Sequence, residues 1–378
     1  MPVRAIAAVL DGFAAPFAHL PLTFDDPGPG EVLVRVAAAP FCSTDWMGWR
    51  AMRGKRPPVV LGHTLVGTVE RAGDGVDAAA GKRVLVAGTP QCDDCFYCGI
   101  GRPDQCSILL DSGDPTVARL DDGREVRAAG GVGAYATHAL VSASQVHALP
   151  DGLPFETAAL TGCGVSTAYG AVEYIAEVRP GQSVAVFGLG HLGLFAVQAA
   201  ASAGAARVIG IDVHPGRRAR ALTMGASHVI DAGDDNAVEV VRDLTGGRGA
   251  DAVIEAAGPE YVARQAVEAA RRAGTIVLTG VAHSAHAVLT LPQLAMTVHG
   301  KRVLGCQNGQ LTPRRDLPRW LGMLERGEID TQGIVSHAYS LDELDLAARR
   351  SLALDDITGL VVPEGPAGAA ELLSDNTA

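Results

Sequence analysis

No run of eighteen or more apolar residues occurs in the 378-residue chain, so nothing reads as a membrane span. A basic excess is missing too, since 31 Lys and Arg stand against 42 Asp and Glu, a formal net charge of -11. Nucleic acid and anionic membrane surfaces both attract a basic face, so neither is expected as a partner. The first residues, Met1-Pro2-Val3-Arg4-Ala5, lack the charged, apolar and cleavage regions of a secretory signal. There are seven cysteines, an odd number that fits metal ligation under reducing conditions better than a disulfide framework. A cytoplasmic location is therefore expected. No internal repeat is found. What remains is a 48% hydrophobic chain long enough for two domains, each with its own core.

Four of the cysteines, Cys92, Cys95, Cys98 and Cys106, are spaced C-x2-C-x2-C-x7-C. Thiolate sulfur is a good ligand for zinc, and a closed shell of four leaves no position for chemistry. This lobe, residues 92–106, is read as a structural zinc site. Cys42 and Cys163 stand elsewhere, and Cys306 has no evident role.

The N-terminal part is dense in short β-rich runs broken by Gly and Pro. Glu31–Val36, Thr64–Glu70 and Lys82–Val86 read as strands of a compact, barrel-like antiparallel fold. From about residue 165 apolar strand-like runs alternate with Ala-rich helical stretches. Ser183–Phe187, Arg207–Asp212, His228–Ile230, Ala252–Glu255 and Thr275–Thr279 read as strands, with helices at Leu192–Ala203 and Gly216–Met224. That alternation predicts a doubly wound parallel sheet. Two further helices are expected near Leu317–Glu325 and Leu341–Leu352, and the tail after Pro363 reads as low-complexity.

Between the first of those strands and its helix lies Gly188-Leu189-Gly190-His191-Leu192-Gly193. Gly188 and Gly190 permit a tight turn and close approach of a pyrophosphate, Gly193 lets helix and strand pack, and the helix N-terminus offers free N–H groups. Asp212, about twenty-four residues on at the end of the next strand, would accept from both adenosine ribose hydroxyls and repel a 2′-phosphate. NAD(H) is favoured over NADP(H), although Arg217 and Arg218 lie nearby and soften that preference.

A second metal is suggested by Cys42-Ser43-Thr44-Asp45, Gly62-His63 and Gly162-Cys163-Gly164. Two thiolates and an imidazole far apart in sequence match the Cys2His set of a catalytic zinc with an open fourth position. Each has a bland reading alone, a buried cysteine being mostly a small hydrophobe. Their weight comes from joint occurrence with the four-cysteine lobe and the glycine loop.

With these motifs in this order, the chain resembles the zinc-containing medium-chain alcohol dehydrogenases over nearly its whole length. The run Thr312–Pro318, Ser340–Leu344 and the long stretch between Cys106 and Tyr135 are similar to the longer, class III-like branch. The resemblance implies a GroES-like β-rich catalytic domain split into 1–164 and 308–378 around a Rossmann cofactor domain at 165–307, with the site in the cleft between them. It implies two zinc ions per chain, NAD(H), a small-molecule alcohol or carbonyl substrate and a homodimer. By the same resemblance Asp45 orients His63, Thr44 bonds the substrate oxygen and begins proton transfer, and Thr167 lies close to the nicotinamide. Backbone at Ala256, Ala257 and Val281 lines the cofactor.

Several positions depart from that pattern. Met47 stands where the family often has a proton-relay histidine. Thr64 replaces a glutamate behind the metal, and Thr358 replaces an arginine that reaches the same glutamate. Loss of both members avoids an uncompensated charge. Ser43 offers no cationic contact for pyrophosphate. Gly88 replaces a bulkier pocket residue, and Trp46, Met47 and Met52 are expected near the substrate. These changes leave two alternatives to an ordinary alcohol dehydrogenase: a reductase of an activated C=C or C=N bond, and a cofactor-binding module without catalysis.

Overall fold

Strand Glu31–Phe41 is buried at nine of its eleven positions, which suits a strand paired on both edges inside a sheet. In the computed structural model, which describes residues 2–50, 56–233, 236–282, 284 and 286–365, it has that central place. Leu65–Ala72 lies along it antiparallel, followed by Arg83–Val86 and Val146–Ala148. His138–Ser142 also pairs with Glu31–Phe41. The C-terminal strand Thr358–Val361 joins the end of the same strand, setting Gly359 opposite Phe41, and Val335–Tyr339 completes the sheet. Thus residues more than 300 positions away pack beside the turn that carries Cys42.

A closed barrel is built from Val3–Leu10, Ala18–Phe24, Thr116–Leu120, Glu125–Ala128 and Val59–Val60. Its alternating and apolar faces share one core with the neighbouring sheet, from Val9 and Leu22 through Val34 and Tyr135 to Leu344. A barrel is present as expected, but the three strands read from the sequence lie in the neighbouring sheet, and Val59–Val60 pairs parallel with Glu125–Ala128, so the barrel is not wholly antiparallel. Met52 and the tail beyond residue 365 lie outside the described residues. This first unit comprises the chain to Cys163 together with the segment from Thr312.

The second unit, Gly164–Leu311, is a six-stranded parallel sheet. Its spatial order is His228–Asp231, Arg207–Asp212, Ser183–Phe187, Ala250–Glu255, Ala270–Leu278, Arg302–Gly305. In chain order that is 3-2-1-4-5-6, the doubly wound dinucleotide-binding arrangement. Ser183–Phe187 pairs with both Arg207–Asp212 and Ala250–Glu255, so the order reverses beside its C-terminal end. A ligand crevice is expected at such a switch point. The unit runs to Leu311, beyond residue 307, because the turn at Asn308–Gln310 packs on helix Gly164–Gly170. A Cβ on Gly170 would lie 2.1 Å from the Gly309 carbonyl oxygen, so glycine is required at this contact.

In the first unit His147, on strand Val146–Ala148, is buried, and its Nε2 has no hydrogen-bond partner among the described residues. Burial, reinforced by the Arg314 guanidinium, holds its pKa down at about 4. An unfolded histidine titrates near 6.5, so between these values the unfolded chain binds the extra proton and stability rises with pH. Acidification through that window is expected to remove up to about 3 kcal/mol of stability. Urea unfolding from pH 7 to 4 should show this slope in the parent protein and lose it in His147→Leu.

Candidate active site

Helix Ser43–Trp49 begins immediately after the long strand, with Cys42 at its N-cap in extended backbone. Asp45, three residues on, turns its carboxylate back so that Oδ2 accepts from the Cys42 amide at 3.0 Å. The same buried carboxylate accepts at Oδ1 from the Gly62 amide, 3.2 Å, and from His63 Nδ1, 3.2 Å. Tyr135 donates its hydroxyl to Oδ2 at 2.8 Å. A carboxylate can only accept, so Nδ1 of His63 carries the proton and Nε2 is left as the ligand atom. Burial opposes charge on His63, but Asp45 and the Cys42 sulfur outweigh it and raise its pKa to about 10. The pocket therefore draws positive charge to this imidazole.

The sulfurs of Cys42 and Cys163 lie within 4.8 Å of each other. His63 is not a member of that mutually close set, yet its ring hydrogen-bonds Cys42. The three predicted ligands thus form a chain of contacts, Cys163 to Cys42 to His63. A soft pair of thiols with an imidazole that gives up its Nε2 proton on binding is a donor set suited to zinc. Thr44 Oγ1 stands 3.5 Å from His63 Nδ1.

The four-cysteine lobe satisfies a stricter geometric test. Cys92, Cys95, Cys98 and Cys106 place their sulfurs within 4.8 Å of one another. The Cys92 sulfur lies 3.8 Å from that of Cys98 and 3.6 Å from that of Cys106. A tetrahedron with sulfur about 2.3 Å from its centre has edges of about 3.8 Å, so the set fits zinc. Amides of Cys95 and Cys98 donate to Cys92 and Cys95 sulfur at 3.4 and 3.5 Å, which favours thiolate. Amides of Ser107 and Cys98 bring the Cys95 pKa down to about 6. Asp93, in this loop, pairs with Arg314 on helix Pro313–Glu325 and ties the lobe to the C-terminal segment.

In the second unit the glycine loop has the geometry a dinucleotide needs. Gly188 has φ +88°, and a Cβ there would lie 2.8 Å from the Ala257 amide nitrogen. A Cβ on Gly193 would be 1.8 Å from the Gly188 carbonyl oxygen, while none of the protein lies within 4 Å of one on Gly190. Helix His191–Ser202 starts there, with Leu192 in its first turn. His191 lays its ring on Gly164, whose Cβ would meet Cδ2 at 2.6 Å. Asp212 is buried, accepting from the Leu189 amide at 2.7 Å and the His214 amide at 2.8 Å. Arg218 donates to the Asp212 carbonyl and pairs with Asp231, while Arg217 sits half-buried on helix Pro215–Thr223. Thr167 is buried on helix Gly164–Gly170, and Val281 is exposed after the fifth strand.

Trp46 and Met47 are buried in the core of the first unit, and a Cβ on Gly88 would lie 2.6 Å from the His63 carbonyl oxygen. All three have packing roles that need no substrate. Two functional groups went unread in the sequence. Tyr135 is one, its contact with Asp45 spanning 90 positions. The other is Glu255, a buried acid at the end of a strand that accepts from the Ala257 and Gly258 amides at 2.8 and 2.7 Å and so shapes that loop. An acid closing an apolar strand just before Ala-Ala-Gly was the available signal.

Residues 28–151 match the family model of the alcohol dehydrogenase GroES-like domain, and residues 192–326 that of the zinc-binding dehydrogenases. The chain is 35% identical to an NDMA-dependent alcohol dehydrogenase of Amycolatopsis methanolica, covering 91% of this chain and 94% of that one. An S-(hydroxymethyl)glutathione dehydrogenase of Synechocystis is 32% identical, with 91% and 96% covered. Among solved structures, benzyl alcohol dehydrogenase from Acinetobacter calcoaceticus superposes with a TM-score of 0.88 at 26% identity, covering 95% of this chain and 99% of that one.

Two glycine variants should separate folding from ligand binding at the loop. Gly193→Ala forces helix from strand and should cost about 1–3 kcal/mol in urea unfolding. Gly190→Ala meets no protein atom, so it should unfold like the parent yet weaken NADH binding by about tenfold or more, read by fluorescence titration.

Proposed function

The chain belongs to the zinc-containing medium-chain alcohol dehydrogenase family, and from that premise we propose where its metals and cofactor are held. It is a zinc-dependent oxidoreductase that passes hydride between a nicotinamide cofactor and an alcohol or carbonyl compound. In our reading Cys42, His63 and Cys163 hold the catalytic zinc, and Cys92, Cys95, Cys98 and Cys106 hold a second, structural one. The observation that carries the first assignment is the contact chain from Cys163 through Cys42 to His63, with His63 fixed by buried Asp45. Zinc bound there supplies a Lewis acid that polarises the substrate oxygen.

The surrounding residues do the rest. Asp45 keeps Nδ1 of His63 protonated and so leaves Nε2 as the nitrogen that would ligate. Thr44 offers the hydroxyl that accepts or returns the substrate proton. Met47 has no ionisable group, so it cannot carry the proton onward from Thr44. Thr167 and the backbone at Ala256, Ala257 and Val281 line the nicotinamide, with Glu255 holding their loop. Leu189, Gly190, His191 and Leu192 present the helix start to the pyrophosphate.

NAD(H) is the preferred cofactor. Support comes from Asp212, whose charge stands at the end of the second strand where a 2′-phosphate would have to sit. The protein is further proposed to be a cytoplasmic homodimer. Strand Arg302–Gly305 ends the parallel sheet, and Leu294 and Val298 on the helix before it are exposed, which fits pairing with a second copy.

Metal analysis should find two zinc ions per chain, one for each ligand set. Cys42→Ser should lower this to one and abolish alcohol oxidation while the protein stays folded. Full metal content and turnover in that variant would refute the assignment. Replacing Asp212 by Ala should reduce the NAD over NADP preference in kcat/KM by about tenfold or more, and an unchanged ratio would remove Asp212 from cofactor selection.

A further inference from the structure

Tyr135 is fully buried, and its ring stacks on Phe41 with centroids 5.8 Å apart and planes 10° from parallel. Its hydroxyl reaches Asp45 Oδ2 at 2.8 Å and comes within 3.4 Å of the Pro40 carbonyl. The backbone locks this position, since the Tyr135 amide donates to the Leu61 carbonyl at 3.1 Å and its carbonyl accepts from Ala8 at 2.9 Å. Space is tight as well. A Cβ on Gly62 would lie 3.1 Å from Tyr135 Cε1, so Gly62 is kept bare where the ring passes.

Asp45 has two oxygens and four donors. Oδ2 takes the Cys42 amide and the Tyr135 hydroxyl, and Oδ1 takes the Gly62 amide and His63. Three of these come from the backbone or from His63, along the segments that carry the ligands themselves. Only Tyr135 reaches in from a separate strand-loop region with a side-chain hydroxyl. A carboxylate has freedom to rotate about its last bond, and the Cys42 amide and the Tyr135 hydroxyl restrain it together at Oδ2. Oδ1 is then held toward His63.

We propose that Tyr135 is a positioning residue for the metal site, fixing the Asp45 carboxylate so that the His63 imidazole is presented to the ion. This rests on the assignment of Cys42, His63 and Cys163 as ligands. Loss of the hydroxyl leaves Oδ2 to the Cys42 amide alone, so Asp45 is held less firmly, the imidazole is less well oriented and metal loss is faster. Groups that bond a ligand directly commonly change metal affinity by about 10–100-fold, and Tyr135, acting through Asp45, is expected to have an effect that begins at the lower end of that range.

The test compares the full-length parent, Tyr135→Phe and Leu22→Ala, each loaded with zinc. Leu22 is buried in the same core, on strand Ala18–Phe24, opposite Ala5 and Leu120 on the neighbouring strands. Zinc release to a chromophoric chelator is followed over time, with Cys42→Ser used to identify the phase belonging to the catalytic site. Tyr135→Phe should speed that phase by about 10–100-fold and leave the four-cysteine phase unchanged. The visible bands of cobalt placed in the catalytic site should shift in the same variant. Release at the parental rate overturns the proposal, as does equal acceleration in Leu22→Ala, which would mean general destabilisation. A parent from which Cys42→Ser removes no release phase overturns the ligand assignment itself, and the proposal with it.

Discussion

A buried negative charge must be compensated, and in the first unit Asp45 is where that requirement organises its surroundings. Four donors from three parts of the chain end on its two oxygens. One caps the helix that follows Cys42, one closes the turn at Gly62, one fixes His63, and one brings in the strand-loop region of Tyr135. Removing any of these groups would leave an under-solvated carboxylate, a cost of about 1–3 kcal/mol or more for a charged group. The carboxylate thus joins local helix capping, strand packing and ligand orientation in a single set of bonds. Chemistry and fold are inseparable here because they use the same two oxygens.

The second unit relies on close approach where the first relies on charge. At Gly188 and Gly193 the backbone comes so near its neighbours that a methyl group has no room, while at Gly190 the space faces away from protein. That asymmetry separates the packing glycines from Gly190, the one we propose for cofactor approach. Asp212 belongs to both categories. By accepting from Leu189 it secures the loop to the second strand, and by its charge it stands where the adenosine ribose would be recognised. A change at this residue would act on the shape of the loop as well as on the cofactor selection proposed for it.

The parallel sheet was legible because its strands are buried on both faces and read as short apolar runs. Ser183–Phe187 and Arg207–Asp212 have the bounds their sequence suggests. The cysteine lobe was legible for another reason, all four ligands lying within fifteen residues, so that spacing alone brings them together. Less of the first unit could be read. Val3–Leu10 and Ala18–Phe24 alternate weakly and depend on closure of the barrel, a long-range event with no local signature. Helices Ala237–Leu244 and Glu260–Ala269 also escaped, being short and flanked by polar residues. Tyr135 is the clearest case: a tyrosine in an apolar stretch looks like core until the carboxylate it meets, 90 residues away, is known.

The two threonines at 64 and 358 show how such a site can lose charge without losing structure. Thr64 is buried and donates to the Val86 carbonyl at 2.9 Å. Thr358, also buried, donates to the Phe41 carbonyl at 2.9 Å. Each hydroxyl is satisfied by backbone, so neither needs the other. A Cβ on Gly162 would lie 1.9 Å from Thr64 Oγ1, which presses this side chain against the segment leading to Cys163. Thr358 in turn secures the carbonyl just before Cys42. An acid and a base would have to be exchanged together at these positions, because either one alone would be buried unpaired. Two self-sufficient hydroxyls remove that coupling while still bracing the chain beside both sulfurs. With the proposed ligands, the charge balance at the metal would be set by the two thiolates, His63 and Asp45, with neutral groups behind them.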